Sequence, residues 1–170
     1  MTKAETQLAG FFAKYDPAMA KLGKALRARL RARLPGLFEI VYVYEGQHAL
    51  VISYSPTEHG YDGLCTLAVY PREVKLFFGR GAQLAKADPN KLLQGSAKTV
   101  RYVVLNAVAD FDRVEIEGLM VAALTLAKLR LDASTKGSVI IKAEAQKQRA
   151  EQRKQRARPL PVGRRKPGAE

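Results

Sequence analysis

Between residues 37 and 105 the side chains keep a period of two, and this rhythm limits what the chain can fold into. Phe38, Ile40, Tyr42 and Tyr44 alternate with Glu39, Val41 and Val43. Apolar runs follow at 49–54, 64–70, 74–78 and 99–105. Successive side chains of a strand point to opposite faces, so each run reads as a strand. Gly46-Gln47 and Pro71-Arg72 make short turns, and residues 55–63 make a longer polar loop. Short connections join antiparallel neighbours, which predicts an antiparallel sheet of about five strands. The fourth and fifth runs flank a connection broken by Gly79, Gly81 and Gly95, with Asp88-Pro89 as a turn or helix start. The run at 139–141 reads as either a late strand or a docking segment.

Helical patterns flank this rhythm. Thr2 and Glu5 have capping-box spacing, and Leu8, Phe11, Phe12 and Tyr15 fall on one stripe of a helix over residues 2–15. Asp16 and Pro17 suit the N-cap and first position of a second helix, which Pro35-Gly36 stops. Met19, Leu22, Leu26 and Leu30 form its apolar face. Asp112 at the N-cap, with Phe111 and Ile116 as a hydrophobic staple, predicts a long last helix reaching about Leu131. Its Leu119 is expected to share an interior with Phe77. The fold class is therefore α+β, with two N-terminal helices and a long C-terminal helix on the sheet. Residues 1–141 make the domain. Residues 142–170 make a basic tail with almost no large apolar side chain, expected to be mostly disordered.

Charge points to the class of partner. The 170 residues carry a formal net charge of +13. The last 29 hold ten Lys or Arg against three Glu, over half of that excess. Such a bias suits anionic partners, including nucleic acid, but gives affinity without specificity. Between Pro17 and Phe38 no acid interrupts Lys21, Lys24, Arg27, Arg29, Arg31 and Arg33. Arg27 and Arg31 lie one helical turn apart, where like charges repel and call for compensation. A phosphate-bearing partner would supply it. Arg27 and Arg31, with Arg149, Arg153, Lys154 and Arg156 of the tail, are the candidate nucleic-acid contacts. No apolar run reaches the roughly 18 residues of a membrane span, and the N-terminus lacks a basic start with an apolar core behind it. The expectation is a soluble, cytoplasmic protein.

Catalytic signatures are not found in the sequence. His48 and His59 are the two histidines, and no Gly-x-Ser-x-Gly elbow or phosphate-binding Gly-Lys-Ser/Thr loop occurs. Cys65 lies between apolar neighbours with no adjacent His or Lys, as an inert core thiol does. Glu58, His59 and Asp62 are the one tight group mixing carboxylate and imidazole, in a loop where polar residues are expected anyway. No cofactor, metal site or enzymatic activity is expected.

The middle of the chain resembles the YdhG-like family, small bacterial domains some of which are described as frataxin-like iron chaperones. The residues carrying the resemblance are Val74-Lys-Leu-Phe-Phe-Gly-Arg-Gly-Ala-Gln-Leu84, Asp88-Pro89, Leu92-Leu93-Gln-Gly95 and Lys98-Thr-Val-Arg101. The hairpin between Tyr42 and Tyr54 and the end at Ile140-Ile-Lys142 fit as well. The resemblance implies an α+β domain with helices packed on an antiparallel sheet. It implies iron handling only by analogy, and the scattered acids here oppose it. On these residues Gly79 and Gly81 are expected to supply backbone freedom. Lys75, Arg80, Lys98 and Arg101 are the cations expected to converge on an anion, with Tyr54 among the aromatic side chains lining the site. The alternative is that Arg101 caps loop carbonyls while Lys98 stays solvated. The leading expectation is a non-catalytic binding domain for a small or anionic ligand. Nucleic-acid association through the tail and the second helix is the alternative.

Overall fold

The structure, a computed structural model, describes residues 1–142 and 153–157. Five strands follow the twofold rhythm: β1 (Phe38–Tyr44), β2 (Ala49–Ser55), β3 (Cys65–Val69), β4 (Val74–Phe78) and β5 (Arg101–Val104). Each pairs antiparallel with the next. A sixth strand, β6 (Val139–Ile141), adds beside β1 in parallel, giving the spatial order β5-β4-β3-β2-β1-β6. The expectation of about five purely antiparallel strands is thus corrected to a six-stranded mixed sheet. Three residues are too few to display a period, and parallel pairing requires a long crossover. That crossover is the helical segment following β5. Gly137 permits the last approach, because a Cβ there would lie 1.7 Å from the Leu37 carbonyl oxygen.

The helices are α1 (Lys3–Phe12), α2 (Pro17–Arg33), α3 (Val108–Phe111) and α4 (Val114–Leu126). Thr2 caps α1 by accepting from the Glu5 N–H at 3.2 Å, and Asp16 caps α2 by accepting from the Ala18 N–H at 2.9 Å. The reciprocal half of the α1 capping box is not what Glu5 provides: its carboxylate turns to α2, as described below. The C-terminal segment divides differently from its sequence pattern. Asp112 closes α3 rather than opening α4, and α4 stops at Leu126 instead of about Leu131.

Helix and strand side chains meet on one face of the sheet. Leu8, Phe12, Leu26, Leu30, Leu119 and Met120 pack with Val41, Ile52, Leu67, Val69, Val74 and Leu76 in one interior. Gly23 lets α2 lie close, with Phe12 and Val69 carbons 2.9 Å from where its Cβ would stand. The strand register sends Glu39, Val41 and Val43 toward the helices and turns Tyr42 and Tyr44 to the other face. Phe77 also turns away, against Tyr102, with ring centroids 5.2 Å apart. Phe78, one residue later, joins Leu119 in the core in its place. No helix among the described residues is long and apolar enough to cross a membrane.

Candidate functional site

The arginines of α2 show first what the fold does with its positive charge. Arg27 donates from Nε to Glu39 Oε1 at 2.8 Å and from Nη2 to Glu39 Oε2 at 2.6 Å. Its Nη2 also reaches Glu5 Oε1 at 2.9 Å, and Arg31 Nη1 reaches the same oxygen at 3.0 Å. Glu39 is only 3% exposed. Burial alone would lower the Arg27 pKa, but the bonds to Glu39 and Glu5 outweigh it and raise it. The Arg27 hydrogen bond in turn holds the Glu5 carboxyl below its ordinary value. The compensation that the Arg27–Arg31 repulsion calls for comes from α1 and β1, not from a phosphate. Arg27 is accordingly corrected from a nucleic-acid contact to a structural ion pair, and Arg31 is held by the same acids. Arg29 pairs with Asp112 and Arg33 with Glu117.

Tyr54 lies beside this cluster, opposite Glu39 in the β1–β2 register. Its side chain is buried, so it lines no surface. Its hydroxyl finds no hydrogen-bond partner among the described residues. Burial first, and the Glu39 charge second, push its pKa well above the ordinary value. Cys65 is buried next to it in the sheet, and burial pushes its thiol up to about 12.

The four cations expected to converge are dispersed. Lys75 stands on the face away from the helices, 4.6 Å from the Tyr102 ring centroid and 5.3 Å from that of Tyr70, and pairs with Glu73 at 2.8 Å. Arg101 sits opposite Phe78 in register, hence on the helix side. Its Nη1 donates to the carbonyls of Ala97 and Val100. It caps its own loop, and the sequence had left that alternative open. Lys98 is exposed in the preceding loop. Lys75 and Arg101 therefore face opposite sides of the sheet and cannot share one anion. Gly81 makes the loop's tight passage. A Cβ there would stand 2.8 Å from the Arg101 backbone nitrogen, so glycine serves close approach rather than the backbone freedom expected. Asp88, nearly buried, holds the loop's far side by accepting from the N–H groups of Leu92 and Leu93, each at 2.8 Å.

Arg80, by contrast, enters a cleft among the described residues. The cleft holds about 540 Å³ between the 56–64 loop, the end of β4 and the C-terminus of α4. Leu126, Ala127 and Leu129 form its apolar side, while Thr57, Tyr61 and Arg80 bring polar groups. Tyr61 is 83% exposed and stacks on His59, ring centroids 5.1 Å apart and 11° from parallel. Asp62, also in the lining, accepts from the Thr57 hydroxyl at 2.6 Å. Arg80 donates to the Leu126 carbonyl at 3.4 Å and to Gln83 Oε1 at 3.2 Å. Its charge thus sits at the negative end of the α4 dipole. No carboxylate pairs with it among the described residues.

The end of α4 explains why this cleft has a firm wall. Lys128 adopts a left-handed conformation at φ 52°. The Lys128 N–H donates to Thr125 O and the Leu129 N–H to Leu124 O, both at 3.1 Å. That pair of bonds is a Schellman turn, with lysine where glycine is usual. With Arg80 on Leu126 and Ala127 on Ala123, each carbonyl of the last turn has a donor.

No family model, no curated protein and no solved structure matches the chain. Among the described residues no three His, Cys, Asp or Glu side chains gather as a metal ion would require. Glu58, His59 and Asp62 are in one loop, but the His59 ring stacks on Tyr61 and the Asp62 carboxylate accepts from Thr57. Arg153, Lys154 and Arg156 sit exposed on a short helical turn, closed by the Ala157 N–H on Arg153 O at 3.1 Å. Arg149 lies outside the described residues, as does most of the tail expected to be disordered.

Proposed function

We propose that this chain is a non-catalytic binding domain, YdhG-like in its resemblance, that holds a small anionic ligand in the Arg80 cleft. The observation carrying the reading is Arg80 itself. Its guanidinium opens onto a cleft of about 540 Å³ without a carboxylate partner among the described residues. Small-molecule sites span roughly 300–1,000 Å³ and combine apolar walls with a few placed polar groups. Leu126 and Leu129 supply the walls, Tyr61 a stacking surface, and Arg80 a planar fork suited to a carboxylate or phosphate. The reading of α2 as a phosphate grip loses its ground, since acids of this chain engage Arg27 and Arg31. The iron-chaperone reading has no gathered ligand set behind it among the described residues.

The test is thermal unfolding of the full chain against a panel of small carboxylates and phosphates. A ligand at a hundredfold its Kd stabilises by about 2.7 kcal/mol. The expected result is a midpoint shift with some panel members, lost in Arg80→Gln and retained in Lys98→Gln. A shift that survives Arg80→Gln, or none with any anion, refutes the reading. Binding only to RNA or DNA, with steep salt dependence, would transfer the function to the tail.

A further inference from the structure

A second concavity lies across the molecule from Arg80 and owes nothing to that reading. It holds about 450 Å³ between the end of α1, the β1–β2 turn and Pro71. Phe11, Tyr15 and Tyr44 line it with aromatic surface, and Asp16 and Glu45 bring carboxylates. Its walls are fixed before anything binds. The Tyr15 hydroxyl donates to the His48 carbonyl at 2.8 Å, and Tyr44, 42% exposed, stacks on Tyr42 with ring centroids 6.2 Å apart.

The charge in this groove runs against the chain's. Lys14, over the Phe11 ring at 5.7 Å, is outnumbered by Asp16 and Glu45 in the lining, whereas the whole chain carries +13. The occupant that fits combines flat, rigid apolar surface with positive charge. Proline-rich segments meet that description, because they hold an extended conformation that docks between aromatic rings at little entropic cost. This chain carries one: Arg158-Pro-Leu-Pro161, followed by Arg164-Arg165.

We propose that the groove binds this chain's own 158–165 segment, its prolines against Tyr15 and Tyr44 and its arginines toward Asp16 and Glu45. The topology delivers the segment to the right place. β6 runs parallel to β1, and the Lys142 N–H donates to the Val41 carbonyl at 2.8 Å. The chain therefore leaves the sheet beside Val41, heading along β1 toward Tyr44. That gap is three strand residues, about 10 Å. The stretch from 142 to 158 is long enough to span it, and covalent linkage over so few residues raises the effective concentration of the segment to order millimolar.

A nitroxide on Gly163→Cys in the full chain reads the contact. Cys65 does not compete for the label, since it is buried as a neutral thiol. Amides of residues 14–16 and 43–48 should broaden, and other surface amides should not. The broadening should be lost in Pro159→Ser/Pro161→Ser and in Tyr44→Ser. The tail variants leave the described domain untouched, so they decide the matter even if Tyr44→Ser perturbs the hairpin. Uniform broadening, or broadening that survives the proline changes, overturns the proposal. So does broadening seen only when labelled chains are mixed with isotope-enriched unlabelled ones, which would make the occupant a second copy.

Discussion

Two basic regions of this chain look alike as sequence and fold to opposite ends. In α2, Arg27 is drawn inward: its side chain is 14% exposed and it closes on Glu39 and Glu5. Arg80, in the connection from β4 to β5, and Arg101, the first residue of β5, bond instead to backbone carbonyls, Arg80 exposed and Arg101 half-buried. The difference is where the acids lie. Glu5 and Glu39 are 22 and 12 positions from Arg27, brought to it by helix and strand packing. No carboxylate pairs with Arg80 or Arg101 among the described residues. A cation's availability to a partner is thus set by tertiary structure, not by its local density in the chain.

The largest expected effect breaks this contrast at its buried end. Glu39→Ala leaves Arg27 without its two-point partner inside the protein, and losing one member of a buried pair costs about 3–5 kcal/mol. Arg101→Met, which removes only bonds to loop carbonyls, should cost under about 1 kcal/mol. Urea unfolding midpoints compare them directly. The double change Arg27→Met/Glu39→Leu should recover most of the loss, because apolar replacement of a buried ion pair is often neutral. Equal losses for Glu39→Ala and Arg101→Met would show that the pair is no more buried in effect than the loop.

Next in size is Gly81→Ala. The added Cβ would come within 2.5 Å of the Arg101 Cβ and 2.8 Å of its backbone nitrogen, so β5 must move. Such overpacking costs about 1–3 kcal/mol. Gly79→Ala, with nothing within 4 Å of its Cβ, serves as the control and should be nearly silent.

The five antiparallel strands were legible because each is long enough to show its alternation and is bounded by turn residues. β6 was legible only as one of two readings, a late strand or a docking segment, since what decides between them is Gly137 fitting against Leu37, 100 positions away. The α1 and α2 caps could be read from Thr2, Asp16 and Pro17, since capping is local. The partition of α3 from α4 could not: the pattern around Asp112 suits an N-cap, yet Asp110 reaches back to the N–H groups of Asn106 and Ala107 and starts a separate turn earlier. Of the cations singled out for an anion, Arg80 reaches a cleft formed by the described residues. Lys98 and Arg101 are three positions apart, so a regular strand would turn them to opposite faces, and convergence needed Lys98 to lie in the preceding loop or a bulge to intervene. Nothing local indicated that Lys75 would lie between Tyr70 and Tyr102, or that Tyr54 would be sealed behind Glu39.

Acid should loosen the α1–α2 contact, with a smaller effect than either substitution. The hydrogen bond from Arg27 depresses the Glu5 pKa in the folded chain. A depressed carboxyl contributes stability above its unfolded value, near 4.3, and loses it as pH falls through the folded value. Wild type and Glu5→Gln should therefore differ in urea midpoint at pH 6 and converge as the pH is lowered toward 3. A difference that stays constant across that window would show that Glu5 acts through packing rather than charge.

The smallest change sharpens the exposed end, at the wall of the Arg80 cleft. Lys128 holds φ 52° at the Schellman turn closing α4. A left-handed conformation costs a residue with a Cβ about 1–2 kcal/mol, and glycine escapes it while losing some unfolded-state entropy on folding. Lys128→Gly should therefore raise stability by about 0.5–1 kcal/mol, measured as a shift of the urea midpoint at constant slope. Because the Lys128 side chain is exposed and the turn's two hydrogen bonds belong to the backbone, the cleft should keep its shape. Anion-induced stabilisation should then be the same in this variant as in wild type. A stabilised chain that no longer responds to the anion would mean that the Lys128 charge, not Arg80 alone, holds the ligand.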